Sequence, residues 1–280
     1  MTRYLRNGPL AVGTAILALV LGGVLYQAVW GGQTEIRIEI GDRLQPPTPG
    51  HIFGTDDLGR DVLARVLGGG AIAFEVGLVA VGIGLGAGGS LALAAVRWRR
   101  WPARILGPVM DGLMAFPAIL LALAIVAVLG TGYVQAMIAI GVGLVPVFWR
   151  QTRAQALVVE TLEFVDAARG LGATERRVLW RHVLPQIAPL LVIQATTAFS
   201  GAVLSEASLS FLGVGTQPPV PSWGRMLLEA TRALSVAPWM AVFPGIALGV
   251  TVLGINLLGD GLRDALDPQL RRVAGREPVF

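Results

Sequence analysis

Six apolar runs divide the chain, each near the length of a membrane-crossing helix, and this division constrains the fold more than any other feature. A helix needs about 20 apolar residues to cross the hydrocarbon core, and in lipid its backbone must satisfy its own hydrogen bonds. The runs fall at about 8–30, 71–96, 112–130, 133–149, 186–209 and 239–258. Composition agrees: 54% of residues are hydrophobic and 14% charged, and the mean hydropathy is +0.67. A soluble domain carries roughly 25% charged residues. The expected fold class is therefore all-α, a polytopic membrane protein with about six transmembrane helices.

The first run follows Arg3 and Arg6, as a signal peptide would, but it is too long for a signal core. No clear small-x-small cleavage site follows Gln27, so an uncleaved anchor is expected. The second run is rich in glycine (Gly77, Gly82, Gly84, Gly86, Gly88, Gly89), which lets membrane helices approach closely. Pro117 stands near the start of the third, and Thr131-Gly132 makes a tight turn before the fourth.

Arginine placement predicts orientation. With the N-terminus inside, the inner segments hold Arg3 and Arg6; Arg97, Arg99, Arg100 and Arg104; Arg150, Arg153, Arg169, Arg176, Arg177 and Arg181; and Arg263, Arg271, Arg272 and Arg276. The outer segments hold only Arg37, Arg43, Arg60, Arg65, Arg225 and Arg232, beside acids such as Glu35, Glu39, Asp42, Asp56, Asp57 and Asp61. The positive-inside rule then puts both termini in the cytoplasm.

Residue types exclude several chemistries. Net charge is +4, but the basic residues punctuate apolar runs, which suits topology rather than nucleic acid. All are arginine. Without lysine the chain has no standard phosphate-binding loop and no Schiff-base nucleophile. Without cysteine it has no disulfide or thiolate metal centre, and His51 and His182 are far apart. An ion-gradient-driven secondary transporter, the alternative reading, would want ionisable residues at mid-membrane and paired broken helices. The runs here carry almost no charge.

One polar inner stretch, residues 163–185, reads as two short helices around Gly170-Leu171-Gly172. Thr161 is expected to cap the first, Thr174 to cap the second, and Pro185 to end it. On the second helix, Leu179 with Val183 and Trp180 with Leu184 form apolar rows able to pack on the span ends, beside a charged row of Arg177 and Arg181. Ala167, Ala168, Gly170 and Gly172 leave a side-chain-poor surface that a partner could approach. These residues fit either such docking or an ordinary basic loop.

Asp166-Ala167-Ala168, Gly172 and Leu184-Pro185 resemble the EAA loop of ABC importer permeases: Glu-Ala-Ala, three residues, Gly, nine residues, Ile, any residue, Leu-Pro. Asp166 stands for the Glu and His182 for the Ile; the Arg181-His182 pair resembles the peptide and nickel branch. Four further segments are similar to C-type dipeptide subunits of that branch: Gly54–Asp61, Ala115–Leu121, Ser205–Gly215 with Pro221–Gly224, and Asn256–Asp264. The resemblance covers about residues 50–270.

That resemblance implies a type I ABC importer permease fold in the inner membrane. It implies an N-terminal helix and external loop in 1–70, a core in 71–262 with a coupling loop at 150–185, and an inner tail in 263–280. It implies a homologous second permease, two ATPase subunits that hold ATP and Mg, and an external solute-binding protein carrying peptides or nickel chelates. This chain would bind no cofactor and break no covalent bond. The ATPase-docking loop would comprise Asp166, Ala167, Ala168, Gly170, Gly172, Ala173, Arg177, Leu184 and Pro185.

Other polar residues carry two readings each. Asp56, Asp57, Arg60 and Asp61 fit turn and cap chemistry or docking of the binding protein. Glu206, near the outer end of the fifth run where water could reach it, fits capping or pairing, or a place on the pathway, and Trp223 joins that outer group. Asn256, Asp260 and Asp264 suit local packing and pairing. Trp30, Trp98, Trp101, Trp149 and Trp239 sit near span ends, as interfacial tryptophans do.

Overall fold

The computed structural model describes residues 8–31, 34, 36–98 and 101–266. Arg3, Arg6, Glu35, Arg99, Arg100, Arg271, Arg272, Arg276 and most of the expected tail lie outside them. Among the described residues the regular secondary structure is helical apart from one isolated bridge, Thr55 with Asp61. The helices are α1 (Gly8–Trp30), α2 (Val62–Ile83), α3 (Ser90–Trp98), α4 (Trp101–Ala115), α5 (Ala118–Leu129), α6 (Tyr133–Glu160), α7 (Glu163–Gly170), α8 (Glu175–Val178), α9 (Leu184–Phe211), α10 (Trp223–Ala230) and α11 (Trp239–Leu266).

Among the described residues five stretches are long and apolar enough to cross a membrane, and a sixth if one bent pair counts as a span. That pair, Arg104–Ala115 with Ala118–Leu129, turns by 99°. The third run is thus broken, where a single helix over 112–130 was expected. Pro117 has no N–H to give and forces Phe116 out of helical geometry. α4, with Arg104 and Pro108 in its sequence, was too polar to be read as a helix.

Other spans outrun their apolar signal. The second begins at Val62, ahead of the expected residue 71, because Asp61 accepts the Ala64 N–H at 2.9 Å as its N-cap. Arg65, in the opening turns, masks this start. The span passes a π-helical stretch, Gly84–Gly89, and ends at Trp98. α6 runs past Arg150 and Arg153 to Glu160. Nor does Pro185 end a helix. It occupies the first turn of α9, where a missing N–H costs least, and a π-helical stretch, Leu179–Val183, joins α8 to α9.

Small residues set the helix spacing. A Cβ on Gly88 would stand 2.3 Å from the Val145 carbonyl of α6, and one on Gly84 2.6 Å from Leu144 Cβ. Gly77 faces the Phe199 ring of α9 in the same way. Gly82 and Gly86 face open space, so only part of the glycine run serves close packing. α1 lies along α11: a Cβ on Gly13 would stand 2.5 Å from the Leu258 nitrogen. The central core joins α2, α5, α6 and α9 through Val76, Ala80, Val126, Ile140 and Leu209.

Candidate functional site

The polar stretch after α6 folds as an elbow. Thr161 does not cap α7; its hydroxyl donates to the Val158 carbonyl at 2.8 Å and closes α6 instead, leaving Leu162 at the cap with no side-chain bond. α7 ends in a paired reversal. Gly172 N–H donates to Arg169 O at 2.9 Å, and Ala173 N–H to Ala168 O at 3.0 Å. This is the Schellman pattern, which places its turning residue in the left-handed region. Gly172 has φ +86°, so a glycine at this position meets a backbone requirement. Thr174 caps α8, its hydroxyl accepting from Arg177 N–H at 3.4 Å.

Arg169 ties the elbow together. It donates to Glu175 at 3.0 Å and 3.2 Å, and pairs with Glu160 at 3.3 Å and with Asp166 at 3.6 Å. The Glu175 hydrogen bond foremost, with the charges of Glu175, Glu160 and Asp166, outweighs partial burial and raises the guanidinium above its ordinary value. Val165, Val178, Leu179 and Val183 pack inward against Val159 and Ile187. The expected second apolar row divides: Leu184 is half-buried, whereas Trp180 is exposed.

Asp166, Ala167, Gly170, Leu171, Gly172, Arg177 and Pro185 face outward; Ala168, Ala173 and Leu184 are half-buried. The tip of the elbow is Leu171, at 90% exposure the most exposed large apolar residue of the described set. No atom lies within 4 Å of where a Cβ would stand on Gly170 or Gly172. Sequence reading treated Leu171 only as part of a helix break. An apolar residue flanked by two glycines was the available signal.

The remaining predicted residues gather near the start of α2 and around α10. Asp56 is buried and accepts from Arg60 Nε at 2.6 Å, from the backbone N–H of Leu58 and Arg60, and from Arg65 Nη1. Glu229 on α10 pairs with Arg65 at 2.9 Å, Arg60 at 3.2 Å and Arg225 at 3.1 Å. Asp57, half-buried, lies 3.8 Å from Arg60. Asp61 holds His51 Nδ1 at 2.9 Å. Asp56 and Arg60, read as turn and cap residues or as a docking surface, are therefore buried in this network. Arg65 and Glu229, the partners that explain them, were missed because they stand far apart in sequence.

Trp223 is buried too, donating Nε1–H to the Val66 carbonyl at 2.8 Å. Glu206 lies away from water, contrary to its expected access, at 1% exposure. One of its oxygens accepts from Ser210 at 2.6 Å and Thr216 at 2.8 Å, tying the segment after α9 back to the helix. Gly224 fits under α9, where a Cβ would stand 2.1 Å from the Ala207 carbonyl.

The family model described as "Binding-protein-dependent transport system inner membrane component" matches residues 80–272. The dipeptide transport system permease protein DppC of Alkalihalophilus pseudofirmus is 38% identical over 270 residues, 96% of this chain and 89% of the relative. The glutathione transport system permease protein GsiD of Pectobacterium atrosepticum is 40% identical over 271 residues, 96% of this chain and 90% of the relative. Among solved structures, a chain of the MetNI methionine ABC transporter in inward-facing conformations aligns with TM-score 0.59 and 21% identity, covering 74% of this chain and 96% of that one. That likeness shows the type I importer permease fold. The chain belongs to the family of inner membrane components of binding-protein-dependent transport systems.

Proposed function

We propose that this permease subunit forms half of a pathway for peptides or related solutes, beside a homologous second permease, with two ATPase subunits docked on the elbow. Both termini then face the cytoplasm, as the arginine distribution asks. An external binding protein delivers the solute; exposed flanks of Asp57 and Asp61 are available to it, while Asp56, Arg60 and Trp223 hold the outer region in shape. The names of the dipeptide and glutathione relatives support the peptide class.

The observation that carries the docking role is the elbow: Leu171 projects from a bare glycine shoulder while Arg169 fixes the same loop to α6. A partner cleft can receive Leu171 and the bare shoulder, and the ion pairs pass its movement to the span as a rigid body. ATP and Mg belong to the partner.

The test is uptake of labelled di- and tripeptides by proteoliposomes holding this chain with its co-expressed partner subunits. ATP-dependent uptake with the binding protein present is expected. Uptake that ignored ATP and followed a proton gradient would overturn the reading. Because the chain has no cysteine, Leu171→Cys offers a single label. An impermeant maleimide should reach it only after cells are broken.

A further inference from the structure

A groove of about 710 Å³ runs along α9, between α2 and α11. Trp180, Leu184, Ala188, Leu191, Ala195 and Phe199 form its spine, at helical spacing. Of its three hydroxyl groups two are already used, Ser90 Oγ donating to the Ala87 carbonyl at 3.1 Å and Thr196 Oγ1 to the Ile193 carbonyl at 2.8 Å, and only the buried Thr152 Oγ1 has no partner. A peptide, dense in amides, would find a single free hydroxyl for its whole backbone there. The groove suits hydrocarbon.

Its mouth is different in kind. Thr174, Arg176, Arg177, Trp180 and Arg181 line a second hollow, and Trp180 belongs to both. All three arginines are exposed, and no carboxylate of the described residues forms an ion pair with them. The helix is continuous from α8 into α9, so these charges sit where the apolar span begins. An amphipathic indole between a basic mouth and an apolar channel marks a membrane–water boundary.

We propose that this is a binding site for an anionic phospholipid. The phosphate lies on Arg176, Arg177 and Arg181, with one acyl chain in the groove along α9. Basic pockets between spans on the cytoplasmic side recognise such headgroups, and Arg presents paired donors to phosphate. The assignment to the inner leaflet rests on the proposed orientation. Because this mouth adjoins the elbow, a bound lipid would brace the segment that joins the elbow to α9.

Tryptophan quenching in vesicles tests it, using the full chain co-expressed with its partner subunits. Phosphatidylglycerol or phosphatidylcholine carries bromine on the upper acyl chain, and subtracting the signal of Trp180→Phe isolates Trp180. Brominated phosphatidylglycerol should half-saturate the quenching at a mole fraction roughly tenfold or more below phosphatidylcholine, as several arginines near a surface imply. Arg176→Gln, Arg177→Gln and Arg181→Gln together should bring the two lipids to parity. Ala195→Phe, which narrows the groove, should weaken quenching by both. The arginines are exposed, so unchanged elution and helical content should show the triple variant folded.

Parity in the wild type would overturn the proposal, as would a preference that survives the triple variant. Complete protection of Trp180 would also overturn it, by showing that protein rather than lipid fills the groove. Vesicles offer the anionic lipid on both leaflets, so a wrong topology would leave these readings intact and appear only in maleimide labelling.

Discussion

The guanidinium of Arg60 donates to the carboxylate of Glu229 at 3.2 Å, although 169 positions separate them in the chain. Arg65 reaches the same oxygen, and Asp56 lies beneath both. Three buried charges, Asp56, Arg60 and Arg65, are thus closed by one residue of α10. Breaking a buried pair from one side leaves the other charge uncompensated, at about 3–5 kcal/mol. Glu229→Ala should lower the thermal unfolding midpoint of the purified protein sharply. Arg225→Ala, at the more open edge, should cost about 1 kcal/mol or less. Equal effects would mean that the cluster does not staple α10 to the start of α2.

Packing of α6 on the π-helical stretch makes a second prediction. A methyl group on Gly88 would overlap the Val145 carbonyl, a backbone atom that cannot swing aside. Gly88→Ala should destabilise by about 1–3 kcal/mol, the usual range for overpacking. Gly86→Ala meets no neighbour, and it should be neutral or slightly stabilising because alanine favours helix. Thermal melts of the two variants in one detergent would separate them.

Glu206 divides structure from charge. One carboxylate oxygen accepts from both Ser210 and Thr216, and the Ser222 side chain also bonds the group. Glutamine keeps a carbonyl oxygen there, so Glu206→Gln should fold with stability near that of the parent. Glu206→Ala orphans buried hydroxyl groups and should cost about 1–3 kcal/mol. If Gln and Ala proved equally damaging, the oxygen would not be what matters.

How much of this was legible in sequence depends on range. Apolar runs announced the spans because lipid leaves the backbone few alternatives, and Gly172 announced the elbow because a helix stop needs a residue at positive φ. Starts and breaks were harder. The start at Val62 hid behind Arg65, whose charge is cancelled by the distant Glu229. The fold at Phe116-Pro117 hid inside a run that looked continuous, although Pro117 carried the signal. Burial of Asp56, Arg60 and Trp223 was illegible, since each depends on α10, which approaches only in three dimensions.

The elbow carries the last prediction. Gly172→Val forces a branched side chain into the left-handed region, at about 1–2 kcal/mol for a residue with a Cβ. Open space around Gly172 means that the chain itself has no clash to report. Span insertion should therefore survive, and the defect should fall on the partner. Asp166→Arg repels Arg169 from the same loop. Leu171→Asp leaves the fold intact, since the side chain touches little of it. All three should express at near-normal levels, and reconstituted complexes should lose peptide uptake tenfold or more relative to ATP hydrolysis. Affinity capture sorts the mechanism: Leu171→Asp should lose the ATPase subunits, whereas Gly172→Val should retain them weakly. Normal uptake in all three would remove the elbow from the coupling path, because the three changes together alter its turn, its ion pair and its most exposed apolar side chain.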